Sequence, residues 1–208
     1  PATASFNVAG NWLNSGTFSS NSGTVTFNGT SQQTLSGTMT GGSAFFNLVV
    51  TNASTGGITF RNNCTAATFT AIIGSIKLFF NAGSTYNFTN LNLNGGACNT
   101  MIVLRSTVCG SQWNIRVDSA SISFINIQDS NAINPITANN SRDYGRNSPN
   151  WTITPGACFG LFPNTSGWAW SDTIGWISFN DVDTCSPVDY GVHVCTGGTD
   201  PLCPPGTP

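Results

Sequence analysis

The stretch from Gln112 to Asp129, QWNIRVDSASISFINIQD, limits what this chain can fold into more than any other. Trp113, Ile115 and Val117 alternate with Asn114, Arg116 and Asp118, the period of a half-buried strand with one face in a core. After a short polar Asp-Ser-Ala connection, Ile122 and Phe124 resume the alternation. Ile125 and Ile127 then take over the apolar phase, so the pattern slips by one residue at Phe124–Ile125. Such a slip would turn every later side chain to the other face unless the chain bends or bulges there. Two strands joined by a polar link, the second one bending, make one coil of a solenoid. The rest of the chain is read as a start, copies and an end for that unit.

Short β-prone runs recur at a spacing of about 10 residues, a cadence of all-β sandwiches, barrels and solenoids. They are Phe6–Val8, Thr24–Phe27, Phe46–Val50, Ile58–Phe60, Thr68–Ile73, Ile76–Phe80, Tyr86–Leu93 and Met101–Leu104, with Asn-Gly, Gly-Gly and Asn-Ser-Gly turn formers between them. No helix is expected, because there is no Glu and a single Lys, while Thr, Val, Ile and Phe fill the runs. An immunoglobulin-like sandwich shares this cadence. The weak copies Gly57–Phe60 and Gly74–Phe80 favour stacked repeats, as do connections rich in residues whose side chains can satisfy tight bends. The expected fold is all-β: a parallel β-solenoid over 1–154, then a small Trp- and Cys-rich, disulfide-containing β appendage over 155–208. The boundary falls at Thr154-Pro-Gly156, where the composition shifts.

Composition narrows the function. Only 7% of residues are charged and the net charge is −2, against roughly 25% charged in an average soluble domain. Such a surface has no field to attract nucleic acid or an anionic membrane, and little self-repulsion to oppose association between copies. No run approaches the roughly 18 apolar residues of a membrane span. Pro1 opens the chain with no Met and no basic-then-apolar leader, so any export signal is expected to have been removed or to lie outside this sequence. Seven cysteines, Cys64, Cys98, Cys109, Cys158, Cys185, Cys195 and Cys203, point to disulfides in an oxidising, extracellular setting. Cys98 and Cys109 flank one strand-like run, where they could staple adjacent coils, and Cys195 and Cys203 could close a small terminal loop. The odd total leaves at least one thiol free or bonded to another molecule, and sequence alone does not give the connectivity. With no Cys-x-x-Cys and only His193, neither zinc nor any other cofactor is expected.

Candidate sites follow from residue type. Trp168, Trp170, Trp176 and Phe179 read as a small aromatic core, as an inter-subunit contact or as a platform for sugar rings. Phe6 and Val8 start a strand almost at the first residue, with no evident cap before it. Asp118, Asp129 and Asp143 are the carboxylates that glycosidase chemistry would need, but acids in Asn- and Ser-rich turns usually hold the backbone, and no enzyme is expected. A calcium site through Asp129, Asn131 and Asp143 would lack the Asp-x-Asp-x-Asp-Gly loop. Asn-x-Ser/Thr triplets at Asn28, Asn52, Asn63, Asn87, Asn139, Asn150 and Asn164 are glycosylation candidates if the exporting cell glycosylates.

Two stretches also resemble known families. Gly10-Asn-Trp-Leu-Asn-Ser-Gly-Thr-Phe18, Gly23–Thr30, Gln33–Gly37 and Phe46–Val50, continued by Met101–Thr107, Ser123–Ala132, Ile136–Gly145 and Asn150–Ile153, resemble the repeats of large secreted bacterial surface proteins with a parallel β-helix. The block Gly167–Asn180 resembles an Ala-Trp-Ser, Ile-Gly-Trp-Ile-Ser-Phe repeat in surface proteins of uncultivated small-genome bacteria, where it is usually in tandem; here there is one copy. The resemblance implies a stalk, adhesin or architectural role and carries over no catalytic residue. The expected function is a structural subunit of an extracellular, cell-surface filament that polymerises with copies of itself by stacking or strand addition. The alternative is a monomeric adhesin or stalk module binding glycans or a surface.

Overall fold

Each pass of the chain through the first unit lays one strand on each of two sheets. β1 (Ser5–Val8) and β2 (Trp12–Asn14) make the first coil, β3 (Thr24–Phe27) and β4 (Gln33–Gly37) the second, and β5 (Phe45–Val50) and β6 (Ile58–Phe60) the third. β7 (Cys64–Ala71) and β8 (Lys77–Phe80), β9 (Thr85–Asn94) and β10 (Ile102–Ser106), and β11 (Trp113–Ser123) and β12 (Ile125–Ile127) follow. β13 (Ser130–Ala132), β14 (Ile136–Ala138), β15 (Arg142–Asp143) and β16 (Trp151–Ile153) close the unit. The odd strands from β1 to β13 form one seven-stranded sheet, and β15 with the even strands from β12 to β2 forms the other. β14 and β16 form a two-stranded parallel sheet. Every pairing within the two large sheets is parallel, which makes this unit a β-solenoid. This computed structural model describes residues 5–158, 168–173 and 175–179, and the chain divides into two units, Pro1–Pro155 and Gly156–Pro208.

Parallel register places each apolar residue beside its counterpart one coil away. Phe6, Val25, Leu48, Phe69 and Leu91 form one column; Trp12, Leu35, Phe60 and Phe80 form another. Inside, Phe60 stacks on Phe80 at 5.2 Å and Phe80 on Trp113 at 4.0 Å, with Tyr86 edge-on to all three. Offset and edge-to-face contacts of this kind add to the large area that aromatic rings bury.

Slips in the alternation mark the corners. In β7 the buried pair Cys64 and Ala66 is followed by Phe69 and Ala71, and in β9 Tyr86 and Phe88 by Leu91 and Leu93. A step of three where two is the strand period requires the strand to bend, so that both halves face inward. At Phe124–Ile125, the slip read from sequence, Phe124 takes φ +53 and turns the chain from β11 into β12. The sequence reading divided β11 in two. Asp118, Ser119 and Ala120 instead lie within the strand, exposed as it rounds its corner and still paired alongside β9, with Ser119 opposite Asn90. The run expected to end at Ile73 stops at Ala71, leaving Ile72 and Ile73 in an exposed turn.

Turn side chains bond across coils. Asn62 Oδ1 accepts from Gly37 N, Asn63 Oδ1 from Thr85 N and Asn134 Oδ1 from Val117 N. Buried Gln33 reaches furthest. Its Nε2 donates to the Val8 and Gly10 carbonyls of the first coil, while its Oε1 accepts from Gly29 N and from Asn52 Nδ2 of the third. At two positive-φ glycines a Cβ would collide with the backbone of a neighbouring coil: Gly37 (φ +88), at the end of β4, with the Asn14 carbonyl and Gly57 (φ +59) with the Lys77 carbonyl.

Cys98, Cys109 and Cys158 are disulfide-bonded, and the two that flank β10 are not joined to each other. Cys64, grouped with them as a disulfide candidate, is instead a buried free thiol in the core, at the start of β7. Cys185, Cys195 and Cys203 lie outside the described residues. In the second unit β17 (Trp168–Ser171) and β18 (Gly175–Ser178) form an antiparallel hairpin with Trp170 opposite Trp176.

Trp113, fully buried at the end of the aromatic stack, supplies the first prediction. Trp113→Ala lowers unfolding stability by about 3–5 kcal/mol, read as a fall in the urea midpoint.

Candidate assembly surface

The two ends of the solenoid differ. At the first coil the inward columns run out into partial exposure. Phe6 faces the same way as the fully buried Val25 and Leu48, yet is 41% exposed because no described strand pairs with the free edge of β1. Val8, Trp12 and Phe18 are half-buried against the core. Phe6 stacks on Trp12 at 6.3 Å, and Trp12 meets Phe18 edge-on at 5.0 Å and Phe45 at 5.3 Å. Among the described residues no acceptor meets the buried Trp12 indole N–H, an arrangement that costs about 1–3 kcal/mol.

At the other end the edge of β13 is covered. On the outer edge of β13, Asn147 Oδ1 accepts from Ser130 N, and Ser148 Oγ accepts from Ala132 N. Ser148 N donates to the Ser130 carbonyl, and Asn150 Nδ2 donates to that of Ala132. At this end Ala132, Ile136, Ala138 and Tyr144 are buried, whereas Ile153 on the outer strand β16 is half-buried and Ile133 is 49% exposed. An Asn-Ser turn thus supplies the hydrogen bonds that a further strand would otherwise make.

Of the interface candidates, Phe6 and Val8 lie at the open end, and sequence reasoning missed their partners Trp12 and Phe18. The tryptophan in Gly10-Asn-Trp-Leu was the available signal, since a large aromatic beside turn formers needs burial. In the hairpin, Trp170 is 60% exposed with its indole N–H on Asp172 Oδ1, and Phe179 is half-buried. The side chains of Trp168 and Trp176 lie outside the described residues.

Each candidate carboxylate is engaged by local partners. Asp129, at φ +57, is buried against Arg146 and accepts from Gly110 N. Asp143 Oδ1 accepts from Gly145 N and Asn147 Nδ2, so it holds its own turn. Asp118 lies on the surface 3.8 Å from Arg116. Asn131 bonds to Asn114 across coils, and no cluster of three metal-ligating side chains occurs among the described residues. Asn28, Asn63, Asn139 and Asn150 are exposed and Asn87 is half-exposed. Asn52 is corrected as a glycosylation candidate: it is 1% exposed, and its amide is held inside by Ser31 and Gln33. Asn164 lies outside the described residues.

Comparison with protein-family models, with curated proteins and with solved structures returns no match.

The displaced pKa values lie in the core. Burial pushes up both the Cys64 thiol and the Tyr86 phenol, the latter partly offset by the Asn81 N–H donated to its oxygen. Both are acids that ionise first in the unfolded chain, from about pH 9.0 and 10.0 respectively. Above those values the unfolded state binds fewer protons, so stability present below pH 9.0 falls as pH rises. The urea midpoint is expected to decline from pH 9.0 upward, and Cys64→Ala to flatten the start of that decline.

Proposed function

We propose that this chain is a structural subunit of an extracellular, cell-surface filament, polymerising through its first coil. The observation that carries the proposal is the aromatic first coil, where Phe6 is exposed, Val8, Trp12 and Phe18 are half-buried, and no described strand lies on the outer edge of β1. An uncovered strand edge over a half-exposed core attracts pairing with another chain. A surface with 7% charged residues offers little repulsion against such contact. Disulfides at Cys98, Cys109 and Cys158 fit an oxidising location. The resemblance to secreted bacterial surface proteins supports the same assignment. Contact through backbone edges and apolar side chains makes no demand on a reacting group, so the proposal is of an architectural protein and not an enzyme.

A second reading, a monomeric adhesin or stalk module for glycans, is favoured by one observation. A surface groove of about 350 Å³ is lined by Thr65, Asn87, Thr89, Arg116 and Asp118, groups able to bond sugar hydroxyls.

Sedimentation velocity at neutral pH distinguishes them. The filament reading expects species that grow with concentration and survive raised salt, since no ion pair is needed to hold them; electron microscopy would show them as fibres. A lone 21.8 kDa species at every concentration, with saturable oligosaccharide binding, would support the adhesin instead.

A further inference from the structure

We infer that the turns ending the second, third and fourth coils form a binding site for a carboxylate-bearing sugar, a uronic acid, with Arg61 as the residue that holds the carboxylate. The inference goes beyond the filament reading and is independent of whether copies polymerise. A pocket of about 310 Å³ opens where the turns after β4, β6 and β8 lie side by side, and its walls include Thr38, Arg61, Asn62, Asn63, Asn81 and Ser84. That volume is at the small end of ligand pockets. The walls are set before any ligand arrives. Thr38 N donates to the Asn14 carbonyl, Asn14 Nδ2 donates to that of Thr38, and Arg61 N donates to that of Leu35. A ligand therefore meets backbone already ordered, which lowers the cost of binding.

The hydrogen bonds that hold these turns decide what the pocket has left to offer. A backbone N–H can only donate, so Asn62 and Asn63, whose Oδ1 atoms accept from Gly37 N and Thr85 N, each keep Nδ2 as a donor. Arg61 is exposed and has no carboxylate partner among the described residues. Its guanidinium adds only donors. The first acid in the chain is Asp118, so the first five coils contain none, and Asp118 itself lies 3.8 Å from Arg116. One cation and two amide donors with no acid beside them call for a negatively charged acceptor. A carboxylate fits best, because it meets the guanidinium fork with two parallel bonds. Other groups of the wall can accept. Asn81 spends Nδ2 on the Ala82 carbonyl and Ser84 Oγ, which leaves its Oδ1, and the Thr38 hydroxyl can donate or accept. A bare inorganic anion has no proton for such groups, whereas the hydroxyls of a sugar ring do. The groove at Thr65 and Asn87 is different, since Arg116 and Asp118 offset each other there.

Saturation-transfer NMR with sodium glucuronate tests the inference, because it reads the ligand and works on monomer and fibre alike. The wild-type chain is expected to bind glucuronate, and to bind glucose or the methyl ester of glucuronic acid about tenfold more weakly or worse, since neither carries the charged acceptor. Arg61→Gln is expected to weaken glucuronate binding by the same factor, and Arg61→Lys, which keeps the charge and loses the fork, by less. Lys77→Gln, at a cation outside the pocket, is expected to leave binding unchanged. Unchanged urea midpoints show that each variant folds. Glucuronate binding that survives Arg61→Gln overturns the inference, as does a wild-type chain that binds no glucuronate. Glucose or the ester binding as tightly as glucuronate removes the carboxylate from the argument and overturns it too. Sodium sulfate binding as tightly as glucuronate would show a general anion contact and overturn the sugar assignment. The filament reading is decided separately, by sedimentation without ligand.

Discussion

In a parallel solenoid the backbone of each coil is satisfied only by its neighbours. A β-hairpin pairs its own two strands, whereas here Ser5 needs Thr24 beside it, Thr24 needs Asn47, and Asn47 needs Thr68. Hydrogen bonding and apolar burial therefore run along the same axis and share one register. A side chain that fits its column supports the coils on both sides, and one that does not fit interrupts both. The end coils are where this arrangement runs out of partners, and the molecule treats its two ends differently.

At the closing end the solution is local. An Asn-Ser turn folds side-chain oxygens and amides onto the β13 edge, so short polar residues stand in for the next strand. The same chemistry operates between coils, where Asn62, Asn63 and Asn134 bond to the backbone of their neighbours. This explains how a chain with 7% charged residues satisfies its backbone without charge: amides and hydroxyls are short enough to lie within a turn and can both donate and accept. Asp129 fits the same scheme, as a buried turn carboxylate held by Arg146 and the Gly110 N–H.

Much of this fold was legible in the sequence because period-two alternation and its slips are geometric statements. The slip at Phe124–Ile125 marks a corner, and the runs at Thr24–Phe27 and Ile58–Phe60 coincide with β3 and β6. What stayed hidden has physical causes. β2 and β4 are short and carry Asn, Gln and Ser, so alternation alone does not mark them. Ser119 and Ala120 look like part of a link by composition, yet the backbone pairing of β11 continues through them. Cys64 could not be told from its disulfide-bonded counterparts because burial, and not spacing, keeps it a thiol. The first coil was half legible: Phe6 and Val8 signal a strand, but only the register shows Trp12 completing the exposed aromatic group. The asymmetry of the two ends required the hydrogen bonds of Asn147 and Ser148, which no motif announces.

Repeat proteins are usually described by nearest-neighbour coupling, in which each unit is stabilised by the one on either side. The buried Gln33 amide concentrates that coupling at the start of this solenoid. By bonding Val8 and Gly10 on one side and Asn52 on the other, it ties the second coil to both of its neighbours through a single side chain. The first coil therefore cannot fray alone without stranding a buried amide, and the three coils behave as one cooperative block. In a load-bearing role, tension applied at that end would be shared by the block, and the molecule would yield there in one step and not coil by coil.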